Sequence, residues 1–179
     1  MRVFFGVQPD PDIALRIASW RDRQLASAGR PVPVTNFHIT LAFVGDINPA
    51  SMEGLCQRVD DYCDNIIPEG DTIDLDRTGY WQRPGIYWLG PTCWPDSLLQ
   101  LAMKLRRISS GSGGKQERKR FQPHITLFRG CTEAPPAPAE PPSFSMAYRD
   151  FALFESRQGR RGVSYHPLQY WDLRGGKAE

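Results

Sequence analysis

The chain has 179 residues, of which 40% are hydrophobic and 11% aromatic, and it carries 22 basic against 20 acidic side chains. This length allows one domain with a sizeable buried core, while a formal net charge of +2 excludes a whole-chain field that would attract nucleic acid unaided. No apolar run approaches the roughly 20 residues that span a bilayer, and the first segment lacks a signal-peptide pattern. We therefore expect a cytoplasmic protein with no membrane contact.

The four cysteines indicate neither metal nor redox chemistry. They show no C-x-x-C pair and no histidine at zinc-ligand spacing; their positions are Cys56, Cys63, Cys93 and Cys131. Neither a disulfide framework nor a zinc site is predicted, and no cofactor is expected.

The first half of the chain predicts strand, helix, strand and helix in that order. Short apolar runs predict the strands, and apolar residues at helical spacing behind a capping residue predict the helices. The predicted elements are a strand at Arg2–Val7, a helix capped by Asp12, a strand at about residues 36–44, and a helix that begins at Asn48 and Pro49.

The second half predicts a hairpin, a third helix, one more strand and a closing hairpin. The predicted elements are strands at residues 72–81 and 85–90, a helix that begins at Pro95 and Asp96, a strand at residues 121–128, and strands at residues 144–156 and 163–173. A glycine–serine loop ending in the basic run 115–120 precedes the strand at 121–128. Such a run can grip an RNA backbone, although a basic run beside glycines is more often simply solvated.

The tetrapeptide HITL occurs twice, at residues 38–41 and 124–127, and contains two of the three histidines. On a strand, alternate residues face the same way, so each copy places its histidine and threonine on one face and its isoleucine and leucine on the other. Continued alternation predicts Phe43 on the buried face and leaves Ala42 on the other. Side by side in a concave sheet, the copies would present two imidazoles and two hydroxyls to one cleft. One copy in each half, each after a helix, indicates internal duplication.

These groups suit a phosphodiester. Imidazole titrates near pH 6.5, so one histidine can take a proton from water while the other gives one to a leaving alkoxide. Threonine hydroxyls can donate to the non-bridging phosphate oxygens, where charge accumulates. No carboxylate accompanies either motif, and two histidines are too few for a typical catalytic zinc site. A metal-free acid–base reaction on a strained cyclic phosphate is therefore predicted. A single H-x-T-L motif is more often structural, so the duplication carries this interpretation.

The chain resembles the two-histidine (2H) phosphoesterase superfamily, and within it the bacterial RNA 2′,3′-cyclic phosphodiesterases, also called 2′-5′ RNA ligases. The defining pair of H-x-[ST]-x motifs is matched by residues 38–41 and 124–127. The segments RVFFGVQP, GYWQRPGIYWLG and YHPLQYWDL are similar to the opening, middle and closing strands of the family. The resemblance covers nearly the whole chain.

The resemblance implies an α+β fold in which residues 1–179 form a single 2H phosphoesterase domain of two lobes. These lobes would be related by a pseudo-twofold duplication, with two antiparallel sheets, helices packed outside, and a central groove between the lobes. The implied reaction opens a 2′,3′-cyclic phosphate at an RNA end to a 2′-phosphomonoester, with 2′-5′ ligation as the reverse-type reaction. A related small cyclic nucleotide, such as ADP-ribose cyclic phosphate, is an alternative substrate.

The resemblance also implies roles for particular residues. His38 would donate a proton to the departing 3′-oxygen and His124 would activate water, although the residues alone do not assign the two roles. Thr40 and Thr126 would hold the phosphate. Arg129 matches an arginine that the family often has after the second motif, and it could pair with a substrate phosphate. Strict alternation places it on the face of the isoleucine and leucine, and only a strand end or a bulge after Phe128 would bring it to the phosphate.

Two further functions stay open. The first is a nucleotide- or RNA-binding module that retains the cleft without turnover, although binding alone does not need both an acid and a base. The second is a metal-binding protein that uses His38, His124 and His166, but His166 has no threonine partner and is expected at a packing or surface position. The aromatic side chains that could stack on a base are Phe37, Phe43 and Phe128, with Phe43 expected in the core. A monomer is the default.

Overall fold

The computed structural model describes residues 1–25, 29–112 and 117–175. The described part contains ten strands, three α-helices and one short 3₁₀ helix. In chain order they are β1 (Arg2–Val7), α1 (Pro11–Gln24), β2 (Arg30–Pro31), the 3₁₀ helix Val34–Asn36, β3 (Ile39–Asp46), α2 (Pro49–Ile66), β4 (Asp71–Leu75), β5 (Arg77–Trp81), β6 (Ile86–Gly90), α3 (Asp96–Ser110), β7 (Ile125–Arg129), β8 (Phe144–Tyr148), β9 (Asp150–Gly159) and β10 (Gly162–Asp172).

Eight of these strands form one sheet that crosses both halves of the chain. Its order is β10-β9-β1-β3-β7-β6-β5, with β2 beside β7, and the remaining strands β4 and β8 form a separate pair. All strand pairings are antiparallel. The α+β class with antiparallel sheets is therefore confirmed. The two sheets are unequal, however, and the larger one contains the motif strands of both halves, β3 and β7, as neighbours.

Two of the predicted strands are wrong in one respect, because each is broken in the middle. The segment 72–81 divides at Asp76 into β4 and β5, and the segment 144–156 divides at Arg149 into β8 and β9. In both cases a single residue carries the chain from the small sheet to the large one. The carboxylate of Asp76 fixes its corner by accepting hydrogen bonds from the backbone N–H and the hydroxyl of Thr92.

Two predicted boundaries also move. The first helix begins at Pro11, with Asp10 rather than Asp12 at the capping position. The motif strand begins at Ile39, since Val34–Asn36 forms a 3₁₀ turn before it. The second helix begins as predicted, with Pro49 in the first turn and the Asn48 side chain accepting from the backbone of Ser51.

The helices bury their apolar stripes in one hydrophobic cluster that includes residues from both halves of the chain. Within it, Arg21 of α1 is almost fully buried. Its Nη1 donates to the carbonyl oxygens of Val32, at 2.6 Å, and Leu127, at 3.3 Å, and its guanidinium lies over the rings of Phe37 and Phe128. This arginine thus ties α1 to the second motif strand. In the described part of the chain, no helix is long and apolar enough to cross a membrane.

Candidate active site

The two HITL motifs lie side by side in the large sheet. Ile39 of β3 pairs with Ile125 of β7 in antiparallel register, and both side chains are 0% exposed in the core. Antiparallel pairing then places one histidine–threonine combination on each side of this isoleucine pair, His38 with Thr126 and Thr40 with His124. All four side chains are half-buried, because they project from the face opposite the isoleucines. The register itself brings two imidazoles and two hydroxyls together.

Each histidine ring is held by a hydrogen bond to the backbone two residues earlier. Nδ1 of His38 donates to the carbonyl oxygen of Asn36 at 2.8 Å, and Nδ1 of His124 donates to that of Gln122 at 2.8 Å. Since a carbonyl can only accept, Nδ1 must carry the proton in both rings, and a neutral ring then has its lone pair on Nε2. Both motifs thus present the basic nitrogen away from the backbone that anchors it.

The two Nε2 atoms have different surroundings. Nε2 of His38 lies 3.0 Å from the hydroxyl oxygen of Thr40, so this hydroxyl can donate to the neutral ring. Nε2 of His124 has no hydrogen-bond partner among residues 1–25, 29–112 and 117–175. One nitrogen is therefore coupled to a hydroxyl, and the other is open to a ligand or water.

Aromatic rings surround both histidines. His38 packs against Phe4, at a ring-centroid distance of 4.9 Å, and against the edge of Tyr165, at 4.8 Å. His124 packs against Trp81 at 4.6 Å and Trp88 at 6.2 Å. The sequence patterns did not indicate these four residues as part of the site. A signal for one of them existed, because alternation along β1 puts Phe4 on the face opposite the buried Val3 and Phe5.

The aromatic surroundings make both imidazoles less basic. Desolvation by burial lowers the pKa of His38 from 6.5 to about 4, with the hydrogen bond to Asn36 opposing this and the positive charge of Arg129 adding to it. Burial likewise lowers the pKa of His124, and Arg129 again contributes. His38 is therefore neutral at pH 7, and the protonation equilibrium of His124 is shifted in the same direction. A bound phosphate would favour their protonated forms.

Both motif strands carry an irregularity at the same place, the leucine that ends the motif. In the β1–β3 ladder, Gly6 pairs with Thr40 but Phe5 pairs with Ala42, so Leu41 is passed over. In the β6–β7 ladder, Trp88 pairs with Thr126 but Tyr87 pairs with Phe128, which passes over the leucine of the second motif. Such a bulge shifts side-chain alternation by one residue. The two halves therefore share a β-bulge at the same position as well as the same tetrapeptide.

The shift corrects two expectations for the first motif. Ala42 turns into the core, and Phe43, expected in the core, is 57% exposed. Its ring lies 6.4 Å from that of Phe4, on the histidine side of the sheet. The other two stacking candidates, Phe37 and Phe128, are each only 2% exposed and belong to the core.

The same shift changes the position of Arg129. Strict alternation places it with the buried isoleucine and leucine, and that expectation is wrong because the bulge intervenes. Arg129 is exposed, and its charge lowers the pKa of both His38 and His124. It occupies in the second half the position that Phe43 occupies in the first.

Of the other residues singled out from the sequence, His166 lies apart from this group, whereas the carboxylate of Glu117 accepts a hydrogen bond from the backbone N–H of Phe43 at 3.4 Å. His166 on β10 contacts the Ser164 hydroxyl through Nε2 at 2.9 Å, and it faces the opposite way from its neighbour Tyr165. Among the described residues, no three His, Cys, Asp or Glu side chains are grouped to hold a metal ion. Part of the basic run 115–120 lies outside the described residues. Within the rest, the Glu117 carboxylate lies 3.2 Å from Nε of Arg106.

Comparison with known proteins agrees with the duplicated geometry. A family model described as LigT-like phosphoesterase matches the chain twice, over residues 7–88 and 89–165, and each match contains one HITL motif. The chain is 37% identical over 175 residues to the RNA 2′,3′-cyclic phosphodiesterase of Escherichia coli (strain K12), covering 96% of each protein. It is 30% identical over 120 residues to the RNA 2′,3′-cyclic phosphodiesterase of Aeropyrum pernix, covering 64% of this chain and 65% of that protein.

A solved structure of a relative shows that the similarity extends to the three-dimensional fold. The crystal structure of E. coli LigT complexed with 3′-AMP matches with a TM-score of 0.88 and 36% identity, covering 97% of this chain and 98% of that chain. The resemblance drawn from the paired motifs is thereby confirmed. The chain belongs to the LigT-like phosphoesterase family.

Proposed function

We propose that this protein hydrolyses 2′,3′-cyclic phosphates at RNA ends to 2′-phosphomonoesters, with His38 and His124 as paired acid and base. The observation that carries the proposal is the antiparallel pairing of the two motifs. It brings together two histidines, each anchored through Nδ1 and each presenting Nε2, beside two threonine hydroxyls. The E. coli relative of nearly full length, an RNA 2′,3′-cyclic phosphodiesterase, and its complex with 3′-AMP support this choice of substrate.

The base in this reaction is His124. Its neutral Nε2 has no hydrogen-bond partner in the described part of the chain, so it can accept a proton from a water molecule as the water oxygen attacks phosphorus. Proton transfer by a positioned histidine contributes typically 10²- to 10⁴-fold in rate. The new P–O bond forms as the bond from phosphorus to the 3′-oxygen breaks.

The acid is His38, which delivers its Nε2 proton to the departing 3′-oxygen. Before substrate binds, this ring is neutral, because burial and the charge of Arg129 lower its pKa to about 4. The negative charge of the bound phosphodiester favours the protonated ring. Thr40 then changes its role. Before the transfer, the protonated Nε2 donates a hydrogen bond to the Thr40 hydroxyl oxygen, and the hydroxyl, which keeps its proton, is free to donate a hydrogen bond to a phosphate oxygen.

The remaining groups hold the substrate. The Thr126 hydroxyl donates to a second non-bridging oxygen, and the Arg129 guanidinium neutralises the phosphate where charge grows in the transition state. Phe43, exposed at the equivalent place in the first half, stacks on the base of the terminal nucleotide. This donor set uses imidazole, hydroxyl and guanidinium groups, none of which requires a metal ion. When a 5′-hydroxyl takes the place of water, the same steps give a 2′-5′ linkage.

The decisive experiment is hydrolysis of an RNA oligomer with a 2′,3′-cyclic phosphate end in excess EDTA. Wild type is compared with His38→Ala and His124→Ala, and the phosphate isomer of the product is identified. We expect a 2′-phosphate from wild type and almost no product from either variant. His166→Ala is the matched control and should retain activity. Binding of the oligomer without turnover across pH 5 to 8 would instead indicate a binding module, and full activity of both histidine variants would make the motifs structural. A parallel reaction with a 5′-hydroxyl acceptor tests ligation.

A further inference from the structure

A concave surface lies beside the first motif, between the tip of the β9–β10 hairpin and the 3₁₀ helix. Its volume is about 480 Å³. The lining consists of small or polar residues from two segments together with two arginines, namely Pro33, Thr35, Asn36 and residues 159–164. No acidic side chain lines it, so no negative charge in the lining would repel a negatively charged ligand.

The positive charge comes from Arg160 and Arg161, the two residues at the hairpin turn. Both are exposed, and among the described residues neither has an ion-pair partner. The nearby Arg157 differs, because its Nε contacts the carboxylate of Glu155 at 2.7 Å. Arginine guanidinium groups bind phosphate oxygens in pairs of parallel hydrogen bonds, so this turn has two free phosphate-binding groups.

A charged hairpin turn is usually just solvated, but here hydrogen bonds connect the hairpin to His38 through Asn36. The side-chain Nδ2 of Asn36 donates to the carbonyl oxygen of Val163 at 2.8 Å, which joins the 3₁₀ helix to β10. The backbone carbonyl of the same Asn36 accepts from Nδ1 of His38. Further along β10, Tyr165 contacts the His38 ring. The cavity and the first histidine therefore share the wall formed by Asn36 and β10.

The spacing excludes the reacting phosphate as the ligand of this cavity. Tyr165, at the histidine, and Arg161, at the turn, are four residues apart on or beside β10, which corresponds to roughly 13 Å of extended strand. A group held between the threonines cannot reach the turn at the same time. A chain that continues from the terminal nucleotide can do so.

We propose that the cavity bounded by Asn36, Arg160 and Arg161 binds backbone phosphates of single-stranded RNA upstream of the cyclic end. This inference rests on the proposed function, and it selects RNA ends over small cyclic nucleotides as the substrates that the protein favours. RNA phosphates repeat along the strand, so contacts at the turn add affinity without reading the base sequence.

The test compares Arg160→Gln/Arg161→Gln with the matched double variant Arg23→Gln/Arg107→Gln, which removes the same charge from exposed positions on α1 and α3. The first measurement is the ratio of kcat/KM for an RNA oligomer to kcat/KM for a 2′,3′-cyclic mononucleotide. The second is the salt dependence of binding to a short RNA that ends in the product 2′-phosphate, followed by fluorescence anisotropy.

We expect the kcat/KM ratio to fall for the turn variant and to stay at the wild-type value for the matched control. If two phosphate contacts are lost, the slope of log affinity against log salt becomes shallower by about 1.4, a roughly sevenfold difference between about 50 and about 200 mM salt. An unchanged ratio and slope, or equal losses in the matched control, would overturn the inference while leaving the hydrolysis intact. A wild type inactive on both substrates would instead count against the proposed function.

Discussion

Ile39 and Ile125 lie opposite each other at the junction of β3 and β7, and the functional groups of the two halves are arranged around this pair. Both isoleucines are fully buried, so the pair fixes the register of the junction through the core. A slip of one residue would turn the histidines and threonines of one strand into the core. The relative placement of the two motifs is thus specified by apolar side chains on the face opposite the histidines and threonines.

The low pKa of His38 makes the stability of the protein depend on pH. The unfolded chain binds a proton at this residue below about pH 6.5, whereas the folded chain binds it only below about pH 4. The free energy of unfolding should therefore fall as the pH is lowered through this window, by at most roughly 3 kcal/mol for this residue. Urea denaturation at several pH values measures the effect.

The slope of stability against pH should decrease in His38→Asn. It should decrease further in His38→Asn/His124→Asn, because burial also lowers the pKa of His124. A double variant with the wild-type slope would show that other groups govern the acid sensitivity.

Replacement of Arg129 by glutamine should change both the rate and its pH profile. Loss of a charged hydrogen bond to the phosphate is worth about 1.5–3 kcal/mol, and kcat/KM should fall roughly 10- to 100-fold. The pH profile of kcat/KM should also move to higher pH, since the arginine charge lowers the pKa of both histidines. Arg129→Lys should keep the wild-type pH profile while losing part of the rate. A rate loss in Arg129→Gln without the shift would mean that the charge does not act on the histidines.

The threonines differ in what they contact, and valine substitutions should reveal the difference. Thr40→Val and Thr126→Val each remove a phosphate donor, and each should lower kcat about 10²- to 10³-fold, as for other donors to a developing oxyanion. Valine fits a strand, so folding should be retained. Only Thr40→Val should shift the ¹⁵N resonance of His38 Nε2, which lies 3.0 Å from the Thr40 hydroxyl. Thr40→Ser should restore both properties. Equal resonance shifts in both valine variants would contradict the assigned contact.

Phe43 and Phe37 form a matched pair of aromatic substitutions. Phe43 is 57% exposed and Phe37 is 2% exposed. Phe43→Ala should leave the melting temperature nearly unchanged and raise KM, because the lost ring stacks on the substrate base. Phe37→Ala should cost about 3–5 kcal/mol of stability through cavity formation. A destabilised Phe43→Ala with an unchanged KM would place this ring in the core after all.

The paired motifs, their common face and the helices around them could be predicted because each rests on local periodicity. Alternation is reliable through Thr40 and Thr126, which are the residues to which we assign the phosphate contacts. It fails one residue later, because the bulges at the motif leucines depend on the neighbouring strands β1 and β6. The breaks in the strands at Asp76 and Arg149 could not be predicted for a similar reason. Neither is a glycine or a proline, and the turns there depend on the pairing of β4 with β8 and, at Asp76, on the contact with Thr92.

The bulges have a further consequence for the direction in which a substrate can lie. Two identical halves would form a twofold-degenerate pocket, in which a nucleotide could bind in either of two opposite orientations with acid and base exchanged. The duplicated bulge gives each half the same outward-facing position, but one half fills it with Phe43 and the other with Arg129. In the proposed binding mode, a ring at one position and a cation at the other would remove this degeneracy, since a base and a phosphate match them in only one orientation. Divergence at this pair of equivalent positions, together with the different aromatic rings around His38 and His124, would thus give a duplicated scaffold a polarity.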